Sequence, residues 1–220
     1  MLKSSFLFLL IILLCTDFGR AQERSITVGE LKVWTYASGL ADRQPDQPVV
    51  VFESGHGTPM GNWQKVLPSL AEMAPIFTYD RPGIGESPPH DYQPTAENVA
   101  HNLVKILEAA DIDPPYVLVG HSLGGAYVRG FANHYPELLS GLVIIDPADF
   151  TERLDDRPAY YAGLGLPDNA VDSLINFFVE RRDRRHADSP ESIRREGQVL
   201  EAMRRNNFAT LNAIPLPNIP

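Results

Sequence analysis

Cysteine is almost absent from this 220-residue sequence, and positive charge is scarce relative to negative charge. The single cysteine, Cys15, lies among the first 21 residues, so the rest of the chain offers no disulfide and no thiol site. The chain has 28 aspartates and glutamates but only 19 lysines and arginines, which gives a net charge of −9. An acidic surface disfavours nucleic acids and anionic membranes as partners. A small neutral substrate fits this composition better.

The sequence also lacks an apolar run long enough to cross a bilayer. The run at residues 6–14 is far shorter than the roughly 18 residues that a membrane-spanning helix needs. Lys3 precedes this run, and a short segment ending in Ala21 follows it. A charged start, a short apolar stretch and a small residue at the cleavage site are typical of a signal peptide. We therefore predict a signal peptide at residues 1–21 and a secreted or periplasmic protein.

After this leader, short apolar strands alternate with amphipathic helices. Strands are predicted at residues 25–28, 32–37, 49–53, 75–79, 116–119 and 141–146. One helix is predicted at residues 63–73, with Pro68 as a kink or break. A second helix is predicted to follow a cap at Thr95, and a third is predicted at residues 123–135. Alternation of this kind predicts an α/β fold, with a mostly parallel central sheet and helices on both faces. We assign residues 22–150 to this core.

Residues 151–214 have a different character, because no strand follows the core. Two amphipathic stripes, one of them containing Phe177 and Phe178, predict helices that we interpret as a cap over the core. Arginines are concentrated at residues 181–205, and we interpret this segment as a solvated helix face. The proline-rich residues 215–220 are interpreted as the start of a connection to a missing C-terminal core segment.

A glycine-rich turn between a predicted strand and a predicted helix carries the candidate nucleophile. Gly120, His121, Ser122, Leu123 and Gly124 have the Gly-x-Ser-x-Gly spacing of a nucleophile elbow. So sharp a turn needs residues without side chains two positions before and after the serine, where the strand and the helix approach each other. The helix also directs its positive end towards charge that develops beside the serine. The pattern predicts Ser122 as a nucleophile.

A nucleophilic serine also needs two backbone N–H groups that stabilise the oxyanion of a tetrahedral intermediate. Leu123, the residue after the nucleophile, supplies the first. The small residues at 54–57 follow a predicted core strand and let the backbone approach a reacting centre. His56 is our candidate for the second donor.

These motifs together resemble the α/β-hydrolase fold-1 family of esterases, lipases, lactonases and peptidases. The resemblance is carried by ESGHG at residues 53–57, DRPGIGES at residues 80–87 and the elbow, in matching order over residues 49–146. It implies that Ser54-Gly55 stands where His-Gly is common, which places His56 at the oxyanion position. It also implies a structural role for residues 80–87. The family usually places its acid and histidine after two further strands, and this sequence has neither strand.

The catalytic triad is therefore incomplete in the sequence. A histidine must take the serine proton, and a carboxylate must orient that histidine. Asp146 ends the strand after the elbow helix, where some family members carry their acid; the alternative is that it caps the following turn. We interpret His134 and His186 as surface residues and expect the His121 side chain to point away from Ser122. The histidine is expected to come from sequence that is missing here.

No metal site or cofactor is predicted from this sequence. No grouping of histidines and carboxylates has the spacing of metal ligands. The glycines at 83 and 85 lack the third glycine of a dinucleotide site, and Ala126 replaces the lysine of a phosphate-binding loop. We expect neither a nucleotide nor a metal.

Two main functional hypotheses follow. The first is an exported serine hydrolase that acts on a carboxylic ester or related acyl substrate through an acyl-enzyme at Ser122. The second is a truncated, catalytically inactive α/β-hydrolase-like protein that binds a small apolar ligand. A scaffold completed by another chain is a third hypothesis. Because the elbow carries serine and not aspartate, epoxide and haloalkane hydrolysis are disfavoured.

Overall fold

The computed structural model describes part of the chain, namely residues 21–148, 157–206, 208–213 and 215. The predicted signal peptide lies outside the described residues, except for Ala21. The same is true of the predicted boundary between the core and the cap at residue 150, and of most of residues 215–220. These domain limits stay predictions.

A six-stranded sheet forms the centre of the described structure. Its strands are β1 (Gln22–Val28), β2 (Leu31–Ser38), β3 (Val49–Glu53), β4 (Ile76–Tyr79), β5 (Tyr116–His121) and β6 (Leu139–Ile145). Their spatial order is β1-β2-β4-β3-β5-β6. The β1–β2 and β2–β4 pairs are antiparallel, and β4, β3, β5 and β6 run parallel to one another. The predicted α/β class with a mostly parallel sheet is confirmed.

The first two strands form a hairpin because of the turn that joins them. Val28 pairs with Leu31, so Gly29 and Glu30 alone make the turn. Gly29 has φ +60°, a left-handed conformation that glycine adopts without steric cost and that suits the right-handed twist of a hairpin. The sharp turn fixes the antiparallel start of the sheet.

Helices connect and cover the strands. They are α1 (Leu67–Ala71), α2 (Ala96–Ala109), α3 (Leu123–His134), α4 (Arg157–Gly163), α5 (Asp168–Ala187), α6 (Glu191–Arg205) and α7 (Ala209–Asn212). The predicted cap at the start of α2 is present, because the Thr95 hydroxyl accepts the Asn98 N–H at 3.1 Å. The prediction of one helix over residues 63–73 is wrong. A 3₁₀ turn (Met60–Trp63) precedes the five-residue α1, and Pro68 lies in its first turn, where a missing N–H costs nothing.

Both faces of β3, β4 and β5 are largely buried, whereas Val143 and Ile145 of β6 are exposed. Apolar residues of α2 and α3, such as Leu103 and Phe131, pack with Val51 and Leu118 on one face. On the other face, Trp63, Leu67, Phe52, Ile76 and Val119 form a second cluster. Burial of this apolar area is the main source of stability. It also holds the carboxyl ends of β3 and β5, where the site lies, in fixed relative positions.

The segment at residues 208–211 packs back onto the core. Phe208 and Leu211 are buried against Tyr127 of α3 and Val99 of α2. The interpretation of residues 181–205 as a solvated face is wrong for part of α6, since Glu196 is only 3% exposed. A carboxylate is buried to this extent only when its charge is paired. None of the helices in the described ranges is both long and apolar enough to span a membrane.

Candidate active site

Ser122 lies on a strained turn between β5 and α3. Its φ of +53° and ψ of −119° place it in a region that residues with side chains rarely occupy. The Ser122 N–H donates to the Ile145 carbonyl at 3.1 Å, and the Ser122 carbonyl accepts N–H groups of Gly125 at 2.9 Å and Ala148 at 3.0 Å. The end of β6 therefore holds this conformation in place.

Two glycines let the turn close. A Cβ on Gly120 would lie 2.5 Å from the Gly124 carbonyl oxygen, and a Cβ on Gly124 would overlap the carbonyl oxygen of Glu53. The strand, the helix and β3 thus meet with no room for a methyl group. Contacts in the folded chain therefore require glycine at positions 120 and 124, which is the spacing from which the sequence predicted an elbow.

Replacing Gly124 by alanine is expected to destabilise the protein by about 3 kcal/mol, because α3 must move away from β3 to relieve the overlap. Thermal unfolding followed by circular dichroism measures the effect. Gly61→Ala is the matched control, since a Cβ there meets nothing within 4 Å. Equal unfolding temperatures for the two variants would show that the turn tolerates a side chain.

The two predicted oxyanion donors lie on segments that approach Ser122. Leu123 is the first residue of α3, so its N–H belongs to the first turn, which lacks intrahelical acceptors. A Cβ on Gly55 would lie 3.4 Å from Ser122 Cβ, which puts the loop at residues 54–57 directly beside the nucleophile. The His56 side chain faces α6, because Nε2 lies 2.8 Å from the Ile193 carbonyl oxygen. The roles of both amides stay predictions.

The described histidine rings have contacts away from the Ser122 hydroxyl. The His101 and His134 rings lie 5.4 Å apart, at the end of α3 opposite the elbow. His90 lies beside Tyr92, with ring centroids 5.9 Å apart. The ring of His121 meets Trp63 edge-on at 6.4 Å. The His186 side chain is outside the described part of the structure.

Asp146, the candidate acid, directly follows β6. It is exposed and has φ +41°. Within the described residues no hydrogen bond joins it to a histidine, so a complete acid–histidine–serine arrangement is not assembled there. The assignment of Asp146 as the acid stays a prediction.

A buried ionic cluster beside the site was not predicted from the sequence. The Arg81 guanidinium lies 2.5 Å from Glu53 and 2.6 Å from Glu196, and each of the three residues is at most 3% exposed. The Tyr79 hydroxyl donates to the second oxygen of Glu53 at 2.6 Å. Arg81 also stacks over the Tyr127 ring at 5.1 Å. We call Glu53, Arg81 and Glu196 the ionic cluster.

Burial and charge act in opposite directions on this cluster. Burial raises the pKa of Glu53 above its ordinary value, although Arg81 and the Tyr79 hydrogen bond oppose the shift. For Arg81, burial disfavours the charged form, but Glu196 and Glu53 outweigh it and raise the pKa well above its usual range. Arg81 therefore carries its charge in the interior. The one sequence signal for the cluster is the glutamate that ends the apolar strand β3.

The loop at residues 80–87 is built around Asp80. Its carboxylate accepts the N–H groups of Met60 at 2.6 Å and Glu86 at 2.9 Å. Gly85, at φ +54°, passes so close that a Cβ there would overlap the Asp80 carboxylate. These contacts agree with the prediction that Gly83 and Gly85 form turns. They also fix the position of Arg81.

A cavity of about 820 Å³ opens between the loop at residues 54–57 and α6. Both apolar and charged side chains line it, among them His56, Ile193, Leu200, Glu201 and Arg205. The cavity lies directly beside the loop that carries His56 and Gly57. In the described ranges, no group of three or more histidine, cysteine or acidic side chains is arranged to hold a metal ion.

Comparison with known proteins agrees with the fold. The profile of the alpha/beta hydrolase fold family matches residues 48–188. The protein YqjL of Bacillus subtilis is 37% identical over 99 residues, which are 45% of this chain and 39% of YqjL. A mouse (lyso)-N-acylphosphatidylethanolamine lipase is 30% identical over 129 residues, covering 57% of this chain and 37% of the lipase.

Among solved structures, the naproxen esterase of Bacillus subtilis superposes with a TM-score of 0.54 at 21% identity, covering 83% of this chain and 61% of the esterase. At this identity the likeness concerns the fold alone. The chain spans less than half the length of the curated relatives named above. Since the family profile matches well over half of the sequence, the chain belongs to the alpha/beta hydrolase fold family.

Proposed function

We propose that this protein is an exported serine hydrolase that cleaves carboxylic esters or related acyl compounds, with Ser122 as the nucleophile. The observation that carries the proposal is the strained backbone of Ser122, held between β5 and α3 by contacts that leave no room for side chains at positions 120 and 124. Strain of this kind is retained where it serves a function. Esterases and lipases among the similar proteins support an acyl substrate.

In the proposed reaction, Ser122 Oγ attacks the carbonyl carbon of the substrate and loses its proton to a base. The negative charge that develops on the carbonyl oxygen is stabilised by the amides of Leu123 and His56 and by the positive end of α3. The intermediate collapses, the alcohol leaves with a proton, and water then hydrolyses the acyl-enzyme to the free acid.

Export rests on the sequence of residues 1–21, which has the charge, apolar stretch and small residues of a signal peptide. Expression of the whole chain, followed by N-terminal sequencing of the protein recovered outside the cytoplasm, tests this part of the proposal. A mature terminus at or close to residue 22 is expected. An intact Met1 on protein retained in the cytoplasm would contradict export.

A fluorophosphonate probe tests the hydrolase proposal most directly. Serine attacks its phosphorus, fluoride leaves, and the resulting adduct places a phosphoryl oxygen where the oxyanion of an ester would lie. Mass spectrometry of the digested protein is expected to find the adduct on Ser122. An unlabelled Ser122 in folded protein would contradict the proposal and favour a ligand-binding protein without turnover, for which the cavity beside α6 is the available site.

A further inference from the structure

Arg81 uses every N–H of its guanidinium in the buried interior. Its Nε donates to Glu196 at 2.6 Å, and one terminal nitrogen donates to Glu53 at 2.5 Å and to the Ser54 carbonyl at 2.7 Å. The other terminal nitrogen donates to the Gly55 carbonyl at 2.6 Å and to Glu196 at 3.1 Å. Arginine has five donors in a rigid plane, so this set of acceptors is complete. Two of the five are backbone carbonyls of the loop beside Ser122.

The bond to the Gly55 carbonyl fixes the orientation of a catalytically relevant peptide. The peptide group is planar and trans, so the N–H of His56 must point opposite to the Gly55 C=O. Because Arg81 holds that carbonyl, the His56 N–H is directed away from the guanidinium. A rotation of this peptide would turn a carbonyl oxygen, and not an N–H, towards a developing negative charge. The Thr58 N–H also donates to the Gly55 carbonyl, at 3.3 Å, so Arg81 supplies the shorter of two hydrogen bonds that hold this peptide in its orientation.

Helix α6 is joined to the same loop through the same arginine. Besides binding Arg81 through both oxygens, Glu196 accepts the Gly57 N–H at 2.8 Å. One turn earlier, Ser192 Oγ donates to the Gly83 carbonyl at 2.6 Å. Glu196 and Ser192 lie four residues apart, on one face of the helix. Helix α6 thus contacts both the loop at residues 54–57 and the loop at residues 80–87.

We propose that Arg81 and Glu196 are positioning residues for the oxyanion site, and that docking of α6 sets the orientation of the Gly55–His56 peptide. The inference rests on the proposed function of Ser122 and extends it to the cap. The proposal explains why the ionic cluster is present, because a buried ion pair is by itself a weak source of stability. Neither residue touches the substrate in this proposal; both act through the loop.

The test compares fluorophosphonate labelling of the wild type with Arg81→Lys and Glu196→Gln. Lysine keeps the charge but has three donors on a single atom, so it cannot hold two carbonyls and two carboxylates. We expect the limiting labelling rate to fall about 100-fold in Arg81→Lys and about 10-fold in Glu196→Gln, the range for weakened oxyanion donors. The probe concentration that gives half the limiting rate should change less than about twofold, since ground-state contacts are retained.

Arg195→Lys is the matched control, because Arg195 lies on α6 next to Glu196 but bonds to the His90 and Tyr92 carbonyls and to Glu191. Its labelling rate should stay near that of the wild type. All rates are measured at a temperature at which circular dichroism shows each variant to be folded. Wild-type limiting rates in folded Arg81→Lys and Glu196→Gln would overturn the positioning role.

A second readout separates this inference from the proposed function. Hydrogen exchange of the peptide covering residues 53–58 should be faster in Arg81→Lys than in the wild type, whether or not Ser122 reacts. If the wild type is not labelled, the hydrolase proposal fails, and unchanged exchange would then overturn the positioning of the loop as well. Labelled wild type with unchanged exchange and unchanged rates would overturn the positioning role alone.

Discussion

Replacing Ser122 by glycine is expected to abolish labelling by the fluorophosphonate probe and, at the same time, to make the protein more stable. Loss of the nucleophile should lower the labelling rate at least about 1000-fold. Glycine adopts φ +53° and ψ −119° without strain, which relieves about 1–3 kcal/mol. The greater conformational freedom of glycine in the unfolded chain offsets part of this gain in stability. A net increase of about 1 kcal/mol, or about 2–4 °C in Tm, is expected.

Two controls distinguish this result from a general effect of glycine. Ser69→Gly, at an exposed position of α1, should instead lower stability by about 0.5 kcal/mol through loss of helix propensity. Ser122→Ala should lose labelling without the gain in Tm, because alanine keeps its Cβ at the strained position. A Ser122→Gly protein that is less stable than wild type would contradict the functional origin of the strain.

Replacing Arg81 by methionine is expected to destabilise the protein by about 3–5 kcal/mol. Methionine keeps the apolar contact with Tyr127, but it leaves the carboxylates of Glu53 and Glu196 buried without their cation. An uncompensated buried charge costs far more than the loss of a surface pair. Urea denaturation measures the change. The matched control is Arg184→Met, whose exposed pair with Glu180 at 3.8 Å should contribute less than about 0.5 kcal/mol.

The penalty of Arg81→Met should depend on pH in a definite direction. Glu53 has a folded-state pKa above the ordinary value of 4.5 because of burial, and loss of Arg81 removes the largest opposing contribution. The folded state then binds the proton more tightly than the unfolded chain, so stability falls as pH rises from about 4.5 through the raised pKa. The destabilisation should be larger at pH 8 than at pH 5. If Arg81→Met lowers the free energy of unfolding equally at pH 5 and pH 8, the buried charge of Glu53 is not the source of the destabilisation.

The strand, turn and helix around Ser122 could be predicted from the sequence because their requirements are local. Gly120 and Gly124 stand two residues on either side of Ser122, and a strand and a helix flank the turn, so the steric demand can be read from five consecutive positions. The error at residues 63–73 is also local in origin. Amphipathic spacing suggested one helix, but Pro68 restricts the helix to a short segment that begins at Leu67.

The ionic cluster escaped prediction because its partners are distant in the chain. Glu53 is 28 positions from Arg81, and Glu196 is 115 positions from it. Charged residues in a helix are usually solvated, so the arginine-rich context of Glu196 favoured the wrong interpretation. Sequence periodicity reports which face of a helix is apolar, but not that a carboxylate will be buried against an arginine of another loop. Only the folded arrangement brings them together.

The long separation within the ionic cluster also bears on the order in which the molecule assembles. During synthesis, Glu53 and Arg81 leave the ribosome well before Glu196, and chains begin to fold from their N-terminal side. Until α6 arrives, the Arg81 Nε has no carboxylate, and the Gly57 N–H has no glutamate to accept it. Contacts between distant segments form late, since a long loop must close first. We therefore expect the loop beside Ser122 to reach its final form after the sheet, when α6 packs against it.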